Sequence, residues 1–194
     1  TYREMQAEIS RIANAMKSQG VKKGDVVTIY MPMIPQLPMV MLACARIGAV
    51  HSVVFAGFSS GALRDRINDC GSKWVFTADE GKRGGKAIKL KEAVDTAVAQ
   101  CPNVNNVFVF KHTGGDISLV PDRDLWMHDL LPQSSSECPI EEMDSDDPLF
   151  ILYTSGSTGK PKGLVHSTGG YSVYAAITAK NTFDLRKDDV FCCV

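Results

Sequence analysis

The sequence predicts an α/β protein built on a layered, doubly wound sheet, and three observations carry that prediction. Segments of helical period alternate with short apolar runs along most of the chain. The runs are continuously apolar, as expected of strands covered on both faces, and the helical segments between them have the length of crossovers. One of these runs, Leu149-Phe150-Ile151-Leu152, leads straight into a loop of glycines, hydroxyls and lysines. Open parallel sheets carry their ligands at that place, beyond the carboxyl ends of strands.

The elements follow in order. Thr1 and Glu4 have capping-box spacing, and Met5, Ile9, Ile12, Ala13 and Met16 then recur on one helical face until Gly20 stops the helix. Val26 to Tyr30 reads as the first strand, Leu37 to Ile47 as a helix and Val50 to Phe55 as the second strand. Ser59 or Ser60 opens a helix running to about Asp69, and Trp74 to Thr77 is the next strand. Lys89 to Gln100 reads as a helix and Val107 to Phe110 as a strand. Leu149 to Tyr153 is the strand that delivers the loop, and a helix from Gly170 to Lys180 is expected to pack behind it. The run Val190-Phe191-Cys192-Cys193-Val194 has the composition of one more strand.

Composition narrows the function classes. The 194 residues are 44% hydrophobic and 22% charged with a formal net charge of −1, and no block of like charge points to nucleic acid or an anionic membrane. Small molecules are the expected partners. The apolar stretch Val26 to Ala45 is interrupted by Pro32, Pro35 and Pro38, which suits strand, turn and helix and not a membrane span. No targeting segment is visible, and a cytoplasmic location is expected. The six cysteines form no C-x-x-C pair and read as reduced, structural thiols. His51, His112, His128 and His166 lack metal-ligand spacing and read as structural, so no protein metal site is expected; Trp74 and Trp126 read as packed aromatics. The acidic run Glu141 to Asp147 lacks the turn glycine of a calcium loop and reads as solvated.

The loop Thr154-Ser155-Gly156-Ser157-Thr158-Gly159-Lys160-Pro161-Lys162-Gly163 has the composition of a polyphosphate cradle. Glycines let consecutive N–H groups face one anion, Ser155, Ser157 and Thr158 add hydroxyl donors, and Lys160 and Lys162 add positive charge. A flexible linker is the competing reading, but the preceding strand and Pro161 between the lysines imply a fixed path. A Walker A loop would need glycine where Thr154 stands and a hydroxyl where Pro161 stands, and the dinucleotide fingerprint lacks its third glycine. ATP is the expected ligand, and the two lysines leave enough of its charge for magnesium to be needed as well.

Tyr153 to Gly163 is similar to the signature loop of the adenylate-forming superfamily, which activates carboxylic acids as acyl-AMP. The flanks Asp146 to Leu152 and Leu164 to Tyr171, with the blocks Ala45 to Phe55 and Ala78 to Lys86, resemble the AMP-forming acetyl-CoA synthetases within it. The resemblance covers nearly the whole chain and is weakest from Lys111 to Met143. It implies that residues 1–194 are an internal fragment of a large N-terminal AMP-binding domain, with the small C-terminal domain absent and the fragment alone inactive.

The resemblance also implies an activity in two halves. Acetate attacks the α-phosphorus of ATP to give acetyl-AMP and pyrophosphate, and the CoA thiol then displaces AMP to give acetyl-CoA. Lys160 and Lys162 are the implied catalytic residues, with Thr154, Ser155, Gly156, Ser157, Thr158 and Gly159 completing the phosphate contacts. Arg83-Gly84-Gly85-Lys86 matches the segment that contacts CoA, with Lys86 where some members have arginine, a change that keeps charge and loses bidentate geometry. Gly57 belongs to a segment similar to one lining the CoA entrance, where Ala56 replaces a common glycine. The loop has no acidic ligand for Mg2+, which is expected after Val194, as is the acyl pocket. Acetate therefore rests on overall similarity. A short-chain ligase for propionate, or a non-catalytic nucleotide- or CoA-binding module, are the alternatives, and the oligomeric state is left open.

Overall fold

The computed structural model describes residues 1–155 and 161–192. Helix α1 (Tyr2–Ser18) opens on the expected capping box, in which Thr1 Oγ1 accepts from the Glu4 amide while the Glu4 carboxylate accepts from Thr1. Its face of Ile9, Ile12, Ala13 and Met16 is buried, and Gly20, with φ +90°, reverses the chain as only glycine does without strain. Strand β1 (Val26–Ile29) follows, then α2 (Gln36–Arg46), β2 (Val50–Val53), α3 (Ser60–Asp69) and β3 (Trp74–Ala78). Ser59 is the cap of α3, its hydroxyl accepting from the Ala62 amide.

Beyond β3 the chain makes a small antiparallel hairpin, β4 (Gly81–Arg83) with β5 (Lys86–Ile88), then α4 (Leu90–Val98), β6 (Asn106–Phe110), β7 (Asp124–Trp126) and the single turn α5 (Met127–Leu130). A 3-10 turn, Leu131–Gln133, leads into an irregular segment. The chain then enters β8 (Pro148–Thr154), β9 (Lys162–Ser167) and α6 (Thr168–Asn181).

The main sheet has the order β7-β6-β3-β1-β2-β8-β9 and is parallel throughout except for the final β8–β9 pair. The step from β1 to β2 runs one way across the sheet and the step from β2 to β3 the other, so right-handed crossovers place α2 and α3 on opposite faces. Helix α1 packs on α2, and α3 packs on α4. Central strand β3 is buried at every residue, and Phe76 stacks on Phe108 of β6 with centroids 4.5 Å apart. This is the doubly wound α/β class that the alternating periodicity predicts.

Three features depart from the sequence reading. The glycine-rich basic segment after β3, to which the sequence reading assigned no element, is a hairpin. Helix α6 contacts β9, and Tyr171 sets its edge against Phe150, yet no residue of α6 is buried: Tyr174 is 71% exposed. The run from Val190 to Cys192 is not a strand, and Val190 is 98% exposed. A β-prone composition forms a strand only where a neighbouring strand takes its hydrogen bonds. Residues 193 and 194 of that run lie outside the described residues.

Candidate functional site

Strands β3, β1, β2 and β8 are adjacent and parallel, so their carboxyl ends share one edge of the sheet. Among the described residues, every predicted site residue lies at or after the carboxyl end of one of these strands or at the start of the antiparallel return from β8. A cleft of about 310 Å³ opens beyond three of them. Pro32 and Met33 enter it from the end of β1, Phe55, Ala56 and Gly57 from the end of β2, and Gly81, Lys82 and Arg83 from the hairpin after β3, while Ile88 and Leu90 close its far side. The structure thus brings Gly57 and Arg83 to one site although the sequence separates them widely.

Local geometry explains the residue types. Arg83 and Lys86 face each other across the hairpin, and the two residues between them, Gly84 and Gly85, have φ of +56° and +77°. A two-residue turn with both central residues left-handed suits strand twist, and glycine adopts it without Cβ strain. The turn lifts two cations into solvent at the mouth of the cleft; Arg83, Gly84, Gly85 and Lys86 are all exposed. The Arg83 guanidinium carbon lies 5.7 Å from the Phe55 ring centroid. A Cβ on Gly57 would come within 2.4 Å of the same ring, so glycine at 57 is what lets Phe55 lie there. The Tyr30 hydroxyl, 2.8 Å from the Phe58 carbonyl and 3.2 Å from that of Ala56, holds the Phe55 to Ser59 turn.

Asp79, fully buried at the end of β3, has a dense set of partners. Its carboxylate accepts from the backbone N–H groups of Glu80 (2.7 Å), His112 (2.9 Å), Thr113 (3.2 Å) and Gly114 (2.8 Å). Burial alone would raise its pKa, but these four backbone donors outweigh it and hold the group below the ordinary carboxylate value. Glu80 in turn accepts from the Thr113 hydroxyl at 2.8 Å.

Strand β8 delivers the predicted phosphate loop next to β2. Thr154 pairs with Lys162 across the β8–β9 ladder, which puts these two side chains on one face, and both are exposed, as is Ser155. Gly156, Ser157, Thr158, Gly159 and Lys160 lie outside the described residues. Gly163 sits where a Cβ would meet Ile151 and Tyr153 at 3.1 Å, so glycine lets the ladder close over Tyr153.

Sequence reasoning passed over Arg66 and Asp69, and gave Tyr153 no role beyond opening the signature loop. The Tyr153 hydroxyl donates to Asp69 at 2.6 Å, and burial together with that bond pushes its pKa up. The Arg66 guanidinium lies 4.8 Å from the Phe58 centroid and 5.4 Å from that of Tyr153. One largely buried cation therefore touches both the turn that forms the cleft and the strand that carries the loop. The only sequence signal was the polar spacing Arg66-x-x-Asp69 at the end of a predicted helix.

The remaining expectations concern residues away from this edge. His51 stacks on Phe150 at 5.4 Å, Phe150 stacks on His166 at 4.4 Å, and burial pushes the His51 pKa down to about 4. Cys44, Cys70, Cys101, Cys138 and Cys192 are free, and burial raises the thiols of Cys44, Cys70 and Cys101, as suits unreactive structural residues. Asp147 in the acidic run pairs with Lys23 at 2.9 Å. Among the described residues no group of three or more His, Cys, Asp or Glu side chains is placed to hold a metal, and no helix is long and apolar enough to cross a membrane.

Comparison with known proteins gives this edge a context. The chain is 58% identical over 193 residues to acetyl-coenzyme A synthetase 2 of Pseudomonas putida and 57% identical over 193 residues to acetyl-coenzyme A synthetase of Magnetococcus marinus. Each match takes in 100% of this chain and 30% of the relative, so the chain spans about 30% of the length of the curated relatives it matches. Acetoacetyl-CoA synthetase from Streptomyces lividans superposes with a TM-score of 0.87 at 30% identity, over 95% of this chain and 28% of that one. The profile of the family described as AMP-binding enzyme matches residues 1–194 from end to end, and the chain belongs to that family.

Proposed function

We propose that the protein containing this chain is an AMP-forming acetate–CoA ligase, a carbon–sulfur-bond-forming enzyme, and that residues 1–194 are part of its N-terminal AMP-binding domain. The single observation carrying this reading is the 55–58% identity, along the full chain, to proteins named acetyl-coenzyme A synthetase. The arrangement of the sheet edge agrees with it, since one parallel sheet presents a nucleotide-loop root and a basic-rimmed apolar cleft side by side.

In the first half of the reaction, acetate attacks the α-phosphorus of ATP and pyrophosphate leaves. The chemistry needs no protein base, because the carboxylate is already ionised; it needs orientation and charge neutralisation on the leaving group. Thr154, Ser155, Gly156, Ser157, Thr158 and Gly159 supply donors for the phosphates, and Lys160 and Lys162 the cationic charge. Mg2+ would be held by the triphosphate and by an acidic ligand outside residues 1–194, and would neutralise charge on the leaving group.

In the second half, CoA takes the cleft between the Phe55 to Gly57 turn and the β4–β5 hairpin. Arg83 and Lys86 face its phosphates while Met33 and Phe55 offer apolar surface to the rest of the molecule. The partners are thus acetate, ATP and CoA, with no nucleic acid or membrane, and the location cytoplasmic. The exposed apolar residues on β8, β9 and α6, among them Leu152, Val165, Val173 and Ile177, support further chain packing there in the complete domain.

The test is carboxylate-dependent ATP–pyrophosphate exchange by the full-length protein with acetate, propionate and butyrate, beside a Lys160→Ala, Lys162→Ala double variant. Exchange strongest with acetate and lost in the variant is the expected result. Preference for propionate would move the assignment to a related short-chain ligase. Absence of exchange with every acid, despite ATP binding, would leave a nucleotide-binding module.

A further inference from the structure

We infer that Asp79 is a positioning residue for CoA: its buried carboxylate fixes the β4–β5 hairpin, and with it Arg83 and Lys86, in the conformation that receives the phosphates of CoA. This inference rests on the proposed ligase function and extends it to a residue that itself cannot touch the substrate.

The placement of Asp79 supports this role. It is the first residue after β3 and stands two positions before Gly81, where the hairpin begins. Its two oxygens collect four backbone N–H donors, one from Glu80 on the hairpin side and three from His112, Thr113 and Gly114 in the turn that follows β6. An anion bound by N–H groups in this way fixes the backbone that carries them. Asp79 therefore joins the turns after two adjacent strands. Gly114, with φ +79°, gives the second turn the left-handed residue that aims its N–H at the carboxylate.

A second layer tightens the same joint. Glu80 accepts from the Thr113 hydroxyl, which itself accepts from the Gly115 amide at 3.2 Å. A Cβ on Gly115 would come within 2.4 Å of the Glu80 carboxyl carbon, so this turn lies directly against the residue preceding Gly81. The hairpin itself has only three residues per strand and polar, exposed tips, too little to hold its own orientation. What orients it is Gly81, which is buried beside Pro32 and Leu90, together with the Asp79 joint behind it.

An asparagine at 79 keeps the shape but turns an acceptor into an NH2 group facing backbone donors, so the joint loosens without leaving a cavity. In the full-length protein, Asp79→Asn is expected to raise the KM for CoA about tenfold, the loss of one charge-assisted contact, while acetate-dependent ATP–pyrophosphate exchange stays within about twofold of wild type. On an Arg83→Ala background the same substitution is expected to add little, because the side chain it positions is already gone.

An unchanged CoA KM, or a loss of exchange matching the loss of thioester formation, would overturn the positioning role. Should Asp79→Asn fail to fold, Thr113→Val decides: it removes only the outer layer, and a CoA KM raised about threefold is expected, whereas an unchanged value refutes the inference. A wild-type protein that neither exchanges pyrophosphate nor consumes CoA would refute the proposed function itself. A wild type active in both, with CoA KM unaltered in the variants, would refute the inference alone.

Discussion

Replacing Lys91 by methionine tests how far a buried charge cluster holds the β7 edge of the sheet. Lys91 lies on α4 with a side chain only 1% exposed, and its ammonium sits 2.7 Å from Asp95 Oδ1 and 2.7 Å from Asp124 Oδ2, the latter side chain 0% exposed. It also donates to the Ser118 carbonyl at 3.1 Å, so its donors are fully used. Arg123 reaches the same two carboxylates, with Nε 2.6 Å from Asp124 Oδ1. Methionine matches the length of lysine and leaves no large cavity, so the loss is electrostatic. Removing one partner of a buried pair costs about 3–5 kcal/mol, and because Arg123 remains on both carboxylates the lower end, about 3 kcal/mol, is expected. Thermal and urea unfolding at neutral pH measure it. A paired Lys91→Met, Asp124→Asn variant should recover part of the loss, since it removes the buried charge that the single change strands. A single variant within about 0.5 kcal/mol of wild type would refute the reasoning.

Three further outcomes are expected. His51 is buried with Nδ1 unpartnered among the described residues and its pKa depressed to about 4 from 6.5, so between those values the unfolded state binds more protons and stability falls as pH drops; the loss approaches about 3 kcal/mol below pH 4, and His51→Phe should abolish that part of the pH slope in unfolding experiments. Gly57→Ala forces the half-exposed Phe55 ring off its site, which should change stability by less than about 1 kcal/mol yet raise the KM for CoA several-fold, and an unaltered KM would remove Phe55 from the CoA cleft. Arg66→Met keeps the packing but withdraws the cation between Phe58 and Tyr153 and its bond to the Ala62 carbonyl at 2.7 Å, with an expected cost of about 2 kcal/mol by denaturant titration, whereas no measurable cost would show the guanidinium to be solvated in practice.

Elements whose causes are local were legible in the sequence. The capping box of α1, the Ser59 cap of α3 and the apolar runs of β1, β3 and β8 each announce themselves within a few residues, and each forms within two residues of its expected bounds. The β4–β5 hairpin had a signal too, two glycines between residues that pair, but its strands are short and polar and carry no alternation to draw attention to it. Strand β9 was hidden because Lys162-Gly163-Leu164-Val165-His166-Ser167 shows neither strict alternation nor a continuous apolar run; it is a strand because β8 offers it a free edge. The same rule explains the opposite error at Val190 to Cys192, where composition suggests a strand and no strand forms. The proposed site residues divide in the same way. Gly57, Arg83 and Lys162 sit in recognisable local patterns, but the value of Asp79 depends on donors more than thirty residues away, and that of Arg66 on two aromatic rings brought from different strands.

The strand order has a consequence for how the two half-reactions of the proposed ligase would communicate. Strand β2 ends in the Phe55 to Ser59 turn of the proposed CoA cleft, and its neighbour β8 leads into the proposed phosphate loop, so the two proposed sites are flanks of one strand pair and not separate modules. Helix α3 begins at the cap Ser59, immediately after that turn, and ends at Asp69, which accepts from Tyr153 at the root of the loop. Between those ends Arg66 contacts Phe58 and Tyr153 together. A shift of the loop root on phosphate release would therefore be felt at Phe58 through one rigid helix and one buried side chain. Because the contact on each side is a cation against a ring face, it tolerates sliding and not separation. Arg66→Met should for that reason alter the CoA step in addition to its stability cost, and an Arg66 variant whose only defect is stability would restrict the bridge to a structural part.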